Sequence, residues 1–264
     1  MEISPAKRVG RILAILRDES GKTQAEVAKV ANCSNTLISH LENGTKSAHI
    51  DTVKAIGKAI HHEKVVTELW GFVGSPGTAA TADLLAGYEA EATRISVWTT
   101  NVFHGLVQTE DYARALLSAG LPFAADAEID ELLRKRMERQ QALDRNPAPM
   151  LWCVIDESVL MRPYGGREVL KSQLDKLESM AARPNVVIQV MPFTMVGHPG
   201  FEGSLGVLEF GDKTPMWYSD AWAAGKLSDD RTEVTDYTRY FDIIRASALS
   251  PDESLSLIRA IREK

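Results

Sequence analysis

The segment TQAEVAKVANCSNTLISHLENG, residues 23–44, constrains the fold of this chain more than any other part of it. Thr23 is followed three residues later by Glu26, a spacing that predicts a capping box at the start of a helix. Ser34 and Gly44 are the residue types that begin and end a second helix. A short connection, ANC, separates the two helices. The segment therefore predicts a helix-turn-helix.

The second of these helices has two contrasting faces on a helical wheel drawn at about 100° per residue. One face carries only uncharged hydrogen-bonding side chains, which are Asn35, Thr36, Ser39, His40 and Asn43. The opposite face is apolar and consists of Leu37, Ile38 and Leu41. Small neutral donors and acceptors can pair with base edges in the major groove. The pattern therefore favours a helix that reads DNA over one used only for protein contacts, which is the alternative.

The predicted DNA contacts extend beyond this helix and comprise Gln24, Ser34, Asn35, Thr36, Ser39, His40, Asn43 and Lys46. Gln24 begins the first helix, where its amide and the free backbone N–H groups can bind a phosphate. Lys46 follows the closing glycine and can reach another phosphate. We therefore expect double-stranded DNA to be the partner of this region.

Residues 23–56 resemble the helix-turn-helix of the phage-repressor and xenobiotic-response-element regulators. The resemblance is carried by the Thr-Gln opening, Ala28, the serine cap and the Glu-x-Gly ending at 42–44. Neutral residues replace the basic ones often found on the recognition helix, and Ala48-His49 stand where Pro-Ser is usual. The resemblance implies sequence-specific DNA binding, and the first departure implies a weaker affinity for phosphates.

The charge distribution suggests how such a domain would bind. The net charge is −6; residues 1–70 contain 10 basic and 8 acidic side chains, a net of +2, which leaves −8 for the other 194 residues. A weakly basic head binds DNA weakly as a monomer. We therefore expect a homodimer on a palindromic operator.

The chain is predicted to have two domains. Residues 1–73 form an all-α domain of four to five helices, and GSPGTAATAD, residues 74–83, is a linker because Gly, Ser, Thr, Ala and Pro dominate it. Residues 84–264 form the second domain. No run of about 18 apolar residues predicts a membrane span. Cys33 and Cys153 are far apart, which suits a reducing cytoplasm, where the protein would associate with the nucleoid when bound to DNA.

The second domain is predicted to be mixed α/β (α+β), with a small sheet flanked by helices. Two apolar runs of strand length, 150–156 and 185–193, enclose a helical segment at 167–183, which indicates a crossover between parallel strands. Residues 204–210 and 215–219 predict two further strands. Ile95–Trp98 predicts another short strand.

Residues 82–260 resemble the C-terminal domain of WhiJ-type, antitoxin-like regulators of actinobacteria. The segments RPYGGREVLKSQLDKL, NVVIQVMPF and GHPGFEGSLGVLEF carry the resemblance. His104 is a departure, because the family more often has a proline there. The resemblance implies transcriptional control in development or secondary metabolism and a small partner protein encoded by a neighbouring gene. A small-molecule effector is the other expected input.

The second domain contains no GxSxG elbow, no Walker lysine loop, no HExxH and no CxxC motif. We therefore expect no enzyme activity, no catalytic residue, no cofactor and no metal. Gln108, Tyr112, His198 and Phe201 lie in or beside loops and are the predicted ligand or partner residues. His198 with Glu202 nearby suits a general base, although a solvent-exposed turn histidine is the commoner outcome. An antitoxin-like interaction protein and an enzyme with a DNA-binding head remain the alternatives.

Overall fold

The computed structural model describes residues 5–45, 48, 50–71, 78–220 and 226–263. The chain forms two compact units: residues 1–82 with 222–226, and residues 83–221 with 227–264. Each unit encloses its own hydrophobic core. No helix in the described part of the chain combines the length and the apolar character that crossing a membrane requires.

The N-terminal unit is helical, as predicted. Its helices are α1 (Pro5–Glu19), α2 (Gln24–Val30), α3 (Asn35–Glu42), α4 (Ile50–Ala59) and α5 (Glu63–Gly71). The capping box at α2 is confirmed, because the Glu26 N–H donates to Thr23 Oγ1 and the Thr23 N–H donates to the Glu26 carboxylate. Ser34 caps α3 by accepting from the Leu37 N–H at 3.1 Å. These local bonds place the two helices on either side of a short turn.

The core of this unit is built from one stripe of each helix. Its members include Val9, Leu13, Val27, Ile38, Leu41, Val53, Ile56, Ile60 and Val66. Gly10 on α1 lies so close to the end of α3 that a Cβ atom there would lie 2.5 Å from the Glu42 carbonyl oxygen. The packing of α1 against α3 therefore requires a glycine at position 10.

We expect Gly10→Ala to lower the free energy of unfolding of the N-terminal unit by about 1–3 kcal/mol, because backbone carbonyls of a packed helix cannot move aside. Amide hydrogen exchange of α1 and α3 in the full chain measures the change. The matched control is Gly87→Ala, an exposed glycine of helix α6 (Thr78–Glu91) whose Cβ would meet nothing within 4 Å. That substitution should stabilise its helix slightly. Equal protection in the Gly10→Ala variant and the parent would contradict the prediction.

The C-terminal unit is organised around a six-stranded sheet with the order β3-β2-β1-β4-β5-β6. The strands are β1 (Arg94–Thr99), β2 (Met150–Asp156), β3 (Val186–Met191), β4 (Ser204–Glu209), β5 (Met216–Asp220) and β6 (Lys226–Ser228). β1, β2 and β3 are parallel, whereas β4 is antiparallel to β1 and to β5. The predicted parallel crossover from β2 to β3 is thus confirmed.

Helices cover both faces of this sheet. α9 (Arg167–Ala181) and α11 (Pro251–Arg262) pack on one face and α10 (Arg231–Ser247) packs on the other. The remaining helices of the unit are α6, α7 (Glu110–Gly120) and α8 (Asp126–Arg139), and α8 packs against α7. Because strand side chains alternate between faces, Val97 packs in the core shared with α9 and α11, whereas Trp98 packs against α10. The mixed fold with a small sheet flanked by helices is therefore confirmed.

Two features differ from the sequence-based expectation. α6 begins at Thr78, so residues 78–83 of the predicted linker are helical, while residues 74–77 lie outside the described residues. The Ala-rich run after Gly77 explains this start, since alanine is the strongest helix former. β6 was not predicted, because three residues are too few to show a strand periodicity.

Candidate nucleic-acid interface

The two faces of α3 separate in the structure as they do on the helical wheel. Ile38 is fully buried and Leu41 is 1% exposed. The side chains at positions 34, 35, 36 and 43 are exposed, and those at 39 and 40 are half-buried. We call Asn35, Thr36, Ser39, His40 and Asn43 the reading face. It presents hydrogen-bonding groups to the outside and contains no Asp, Glu, Lys or Arg.

Some side chains of the reading face are held and others are free. Asn43 Nδ2 donates to the Ser39 carbonyl oxygen at 2.8 Å, and His40 Nδ1 lies 2.9 Å from Thr45 Oγ1. The side chains of Asn35 and Thr36 form no hydrogen bond with any residue that the structure describes. The first turn of α3 is therefore open for base contacts, whereas the last turn is already ordered.

Glu42, the last residue of α3, joins three helices at the edge of the reading face. Its carboxylate accepts from Arg17 Nε at 2.5 Å, from Arg17 Nη2 at 3.1 Å and from Gln24 Nε2 at 2.7 Å. The Glu42 side chain is 7% exposed and that of Arg17 is 13% exposed. Arg17 also donates to the Lys22 carbonyl oxygen at 2.8 Å. This network connects the ends of α1 and α3 to the start of α2.

The network changes the view of Gln24, which we predicted to bind a phosphate. Its amide nitrogen donates to Glu42 instead of pointing freely outward. At the same end of α2, the Glu26 N–H already donates to Thr23 Oγ1. Lys46, the other predicted phosphate contact, lies outside the described residues. Cys33 is half-buried beside the core, and burial raises the pKa of its thiol, as in a packing cysteine.

Sequence reasoning overlooked Arg17 and gave Glu42 no structural role. The available signal was a solitary carboxylate on an otherwise uncharged helix. On the helical wheel Glu42 lies about 20° from Asn35, on the side that leads to the apolar face. A charged residue at such a boundary requires a partner, and Arg17 is that partner.

The predicted ligand residues of the C-terminal unit belong to two separate places. Gln108 is 1% exposed; its Nε2 donates to the Phe103 carbonyl oxygen at 2.6 Å, and its Oε1 accepts from Arg136 at 3.0 Å. Tyr112 is fully buried, and its ring packs edge-on against that of Phe103 with 5.1 Å between the ring centroids. Burial raises the pKa of Tyr112 to about 12. Both side chains thus organise the core around Phe103.

The other two predicted residues lie in the loop before β4. His198 Nδ1 accepts from the Gly200 N–H at 3.1 Å, and the imidazole packs edge-on against Trp98 at a centroid distance of 5.4 Å. Phe201 is 81% exposed. The structure therefore does not bring Gln108, Tyr112, His198 and Phe201 into one site. Among the described residues, no group of His, Cys, Asp and Glu is placed to hold a metal ion.

Sequence reasoning missed a buried polar cluster near Gln108, which consists of Glu89, His104, Arg139 and Tyr218. The Glu89 carboxylate, which is fully buried, accepts from Arg139 Nε and, at 2.7 Å, from Arg139 Nη2. His104 Nε2 lies 2.9 Å from Tyr218 Oη and 3.7 Å from Glu89 Oε1. Burial, with the charges of Arg139 and Arg136, holds the pKa of His104 well below its usual value. His104 is therefore neutral at pH 7.

Two protein-family models match different parts of the chain. A family model described as a helix-turn-helix domain matches residues 8–68, which span the reading face and the Glu42 network. A second model, described as a domain of unknown function (DUF5753), matches residues 82–260, more than half of the chain. No curated protein matches the chain.

Proposed function

Since the chain belongs to the DUF5753 family and its helix-turn-helix domain makes it a DNA-binding regulator, we propose that it controls transcription by reading a specific operator. The observation that carries this proposal is the reading face of α3, whose uncharged hydrogen-bonding residues are exposed or half-buried and are backed by a buried apolar face. Such a surface suits base edges better than phosphates. The role in development or secondary metabolism of an actinobacterium is part of the proposal and derives from the resemblance of the second domain.

The proposal assigns base contacts mainly to the first turn and middle of α3. Asn35, Thr36 and Ser39 enter the major groove, with Ser34, His40 and Asn43 at its borders. Asn35 and Thr36 support this because their polar groups are exposed and form no hydrogen bond within the described part of the chain. A free side chain can pair with a base without breaking a bond inside the protein.

We further propose that two copies bind a palindromic operator as a homodimer. The small positive charge of residues 1–70 limits the phosphate attraction of one head. Pairing two heads doubles the contact surface without changing either reading face. The C-terminal unit would hold the two heads and receive a small-molecule or protein signal; the proposal assigns it no chemical reaction.

The exposed loop before β4 favours a second candidate function, that of an antitoxin-like protein with a small partner. Phe193, Val196 and Phe201 are 58%, 92% and 81% exposed within nine residues, and exposed apolar groups of this size are typical of protein contacts. Purification of the protein from its native host distinguishes a small partner protein from a small-molecule effector. A stoichiometric small protein that is lost from the Phe201→Ser variant supports the partner; its absence, with an effector bound instead, opposes it.

The proposed function is tested by the double variant Asn35→Ala/Ser39→Ala. Genome-wide mapping of binding sites first supplies the operator, and a titration then measures its affinity. We expect about a tenfold loss for each base pairing removed, because one good pairing is worth roughly 1–3 kcal/mol. Neither side chain belongs to the buried face of α3, which is formed by Ile38 and Leu41, so folding should be retained.

The matched control is Asn101→Ala/Ser118→Ala, which removes the same side chains from exposed positions of the C-terminal unit. Its operator affinity should equal that of the parent. Unchanged affinity in the Asn35→Ala/Ser39→Ala variant would refute the assignment of α3 as the reading helix. Failure to recover any enriched site from the genome would refute the regulator itself.

A further inference from the structure

Two buried hydroxyl groups of the C-terminal unit have no hydrogen-bond partner among the residues that the structure describes. They are Tyr112 Oη and Thr99 Oγ1. Tyr112 is fully buried, and Thr99 is 5% exposed. A hydroxyl that is buried without a partner destabilises the folded state. We therefore looked for a binding partner outside the chain that would satisfy these groups.

Both hydroxyls lie at the edge of the sheet where the parallel strands end. Thr99 is the last residue of β1, and it lies on the same face as Val97 because strand side chains alternate. Val97 and Tyr112 belong to the core that α9 covers. The Tyr112 ring contacts Phe103, four residues beyond β1. In open α/β sheets, ligands bind at this edge.

The loop before α9 packs on Tyr112. The Tyr164 ring lies edge-on to the Tyr112 ring, with 5.9 Å between the centroids. Gly165 approaches α7 so closely that a Cβ atom there would lie 2.9 Å from a side-chain carbon of that helix. Burial raises the pKa of Tyr112 to about 12, and the Phe103 backbone, Tyr164 and Arg162 also influence it. The protonated hydroxyl therefore lies between the end of β1 and this loop.

The first turn of α9 adds further donors at the same edge. Gly166 precedes the helix and has no side chain to cap it. No acceptor in the described part of the chain faces the N–H groups of residues 167–169. Arg162 and Arg167 are exposed, and neither forms an ion pair with a described residue. Free N–H groups and two cations at a helix N-terminus favour an anion.

We propose that Tyr112, Arg162, Arg167 and the start of α9 bind the phosphate group of a small molecule. This inference rests on the proposed function, which gives the C-terminal unit an input, and it names the chemical class of that input. A phosphate group has three strong acceptor oxygens. The arginines, the helix N–H groups and the tyrosine hydroxyl supply donors for all three.

Binding requires a local rearrangement, because the Tyr112 hydroxyl is fully buried in the unliganded chain. The half-buried ring of Tyr164 moves aside when the ligand enters. Thr99, at the end of β1, then faces a polar group in the remainder of the molecule. The ligand thereby satisfies both of the hydroxyls that the chain leaves unpaired.

The test titrates the full chain, free of DNA, with inorganic phosphate at constant ionic strength and follows the backbone amide resonances. Phosphate should shift the amide signals of Gly166, Arg167 and Glu168 saturably. Arg167→Gln and Tyr112→Phe should each raise the Kd about tenfold, because each removes a hydrogen bond to a charged group. Glu168→Gln should lower the Kd, since it removes the carboxylate that repels an anion in this turn.

Matched controls come from α10, which also begins with an arginine. Its first N–H groups differ from those of α9, because those of Thr232 and Glu233 already donate to Asp230 Oδ1 at 3.0 Å. Arg231→Gln and Tyr240→Phe remove the same chemical groups from exposed positions of this helix. Both variants should bind phosphate with the Kd of the parent.

The folding of the variants can be separated from their binding. Tyr112→Phe keeps the buried ring and removes only an unpaired hydroxyl, so its free energy of unfolding should not fall. An unchanged Kd in Tyr112→Phe or in Arg167→Gln overturns the inference, and so does the absence of a saturable shift in the parent. The proposed function is tested separately, because it fails only if no operator is bound.

Discussion

Replacing Glu42 by alanine should lower the free energy of unfolding of the N-terminal unit by about 3 kcal/mol or more. The change removes the carboxylate that faces a guanidinium of which only 13% is exposed, and a buried charge without its partner is costly. Arg17 keeps its bonds to the Lys22 carbonyl oxygen and to Asp18, so we expect the lower end of the usual range. Amide hydrogen exchange of α2 and α3 in the full chain measures the loss.

The control for Glu42→Ala is Glu68→Ala, which removes the same atoms from an exposed position of α5 and should change protection little. A second variant identifies the mechanism. Arg17→Met/Glu42→Ala should be more stable than Glu42→Ala alone, because the unpaired cation is gone. If Glu42→Ala costs no more than Glu68→Ala, the network does not stabilise the domain.

Replacing Glu89 by alanine should destabilise the C-terminal unit by about 3–5 kcal/mol. Glu89 is fully buried and faces both Arg139, through two hydrogen bonds, and the imidazole of His104. Its removal takes from a largely buried guanidinium a carboxylate that accepts two hydrogen bonds from it. Urea unfolding of the full chain, followed by hydrogen exchange in β1 and β2, measures the change.

Glu91→Ala supplies a matched control for Glu89→Ala on the same helix. Glu91 pairs with Lys213, but both side chains are more than half exposed, so water and salt screen the pair. Removal of the Glu91 side chain should therefore change the free energy of unfolding only slightly. If Glu89→Ala and Glu91→Ala lower the free energy of unfolding equally, the buried cluster stabilises the unit no more than an exposed ion pair does.

The N-terminal unit was largely predictable because its determinants are local. Thr23 and Glu26 are three residues apart, and the two faces of α3 follow from a periodicity within eight residues. Capping and helical periodicity act over such distances. The parallel strands β2 and β3 were also predictable, since an apolar run, a helix and a second apolar run require a crossover.

The polar networks were not predictable, because they depend on how distant elements cross. Arg17 and Glu42 are 25 residues apart, and His104 and Tyr218 are 114 apart. No periodicity joins such pairs. For the same reason the sequence could not show that Gln108 and Tyr112 lie inside the core, since a loop residue that satisfies a backbone carbonyl resembles one that awaits a ligand.

The free side chains at the start of α3 have an evolutionary consequence. Asn35 and Thr36 project from a helix whose stability comes from its cap, its apolar side and the carboxylate at its far end. Under the proposed function, mutations at these two positions should therefore change which operator is recognised without changing whether the domain folds. Under the same proposal, duplicated genes could diverge to new targets through substitutions that leave the cap, the apolar side and Glu42 of the helix-turn-helix in place.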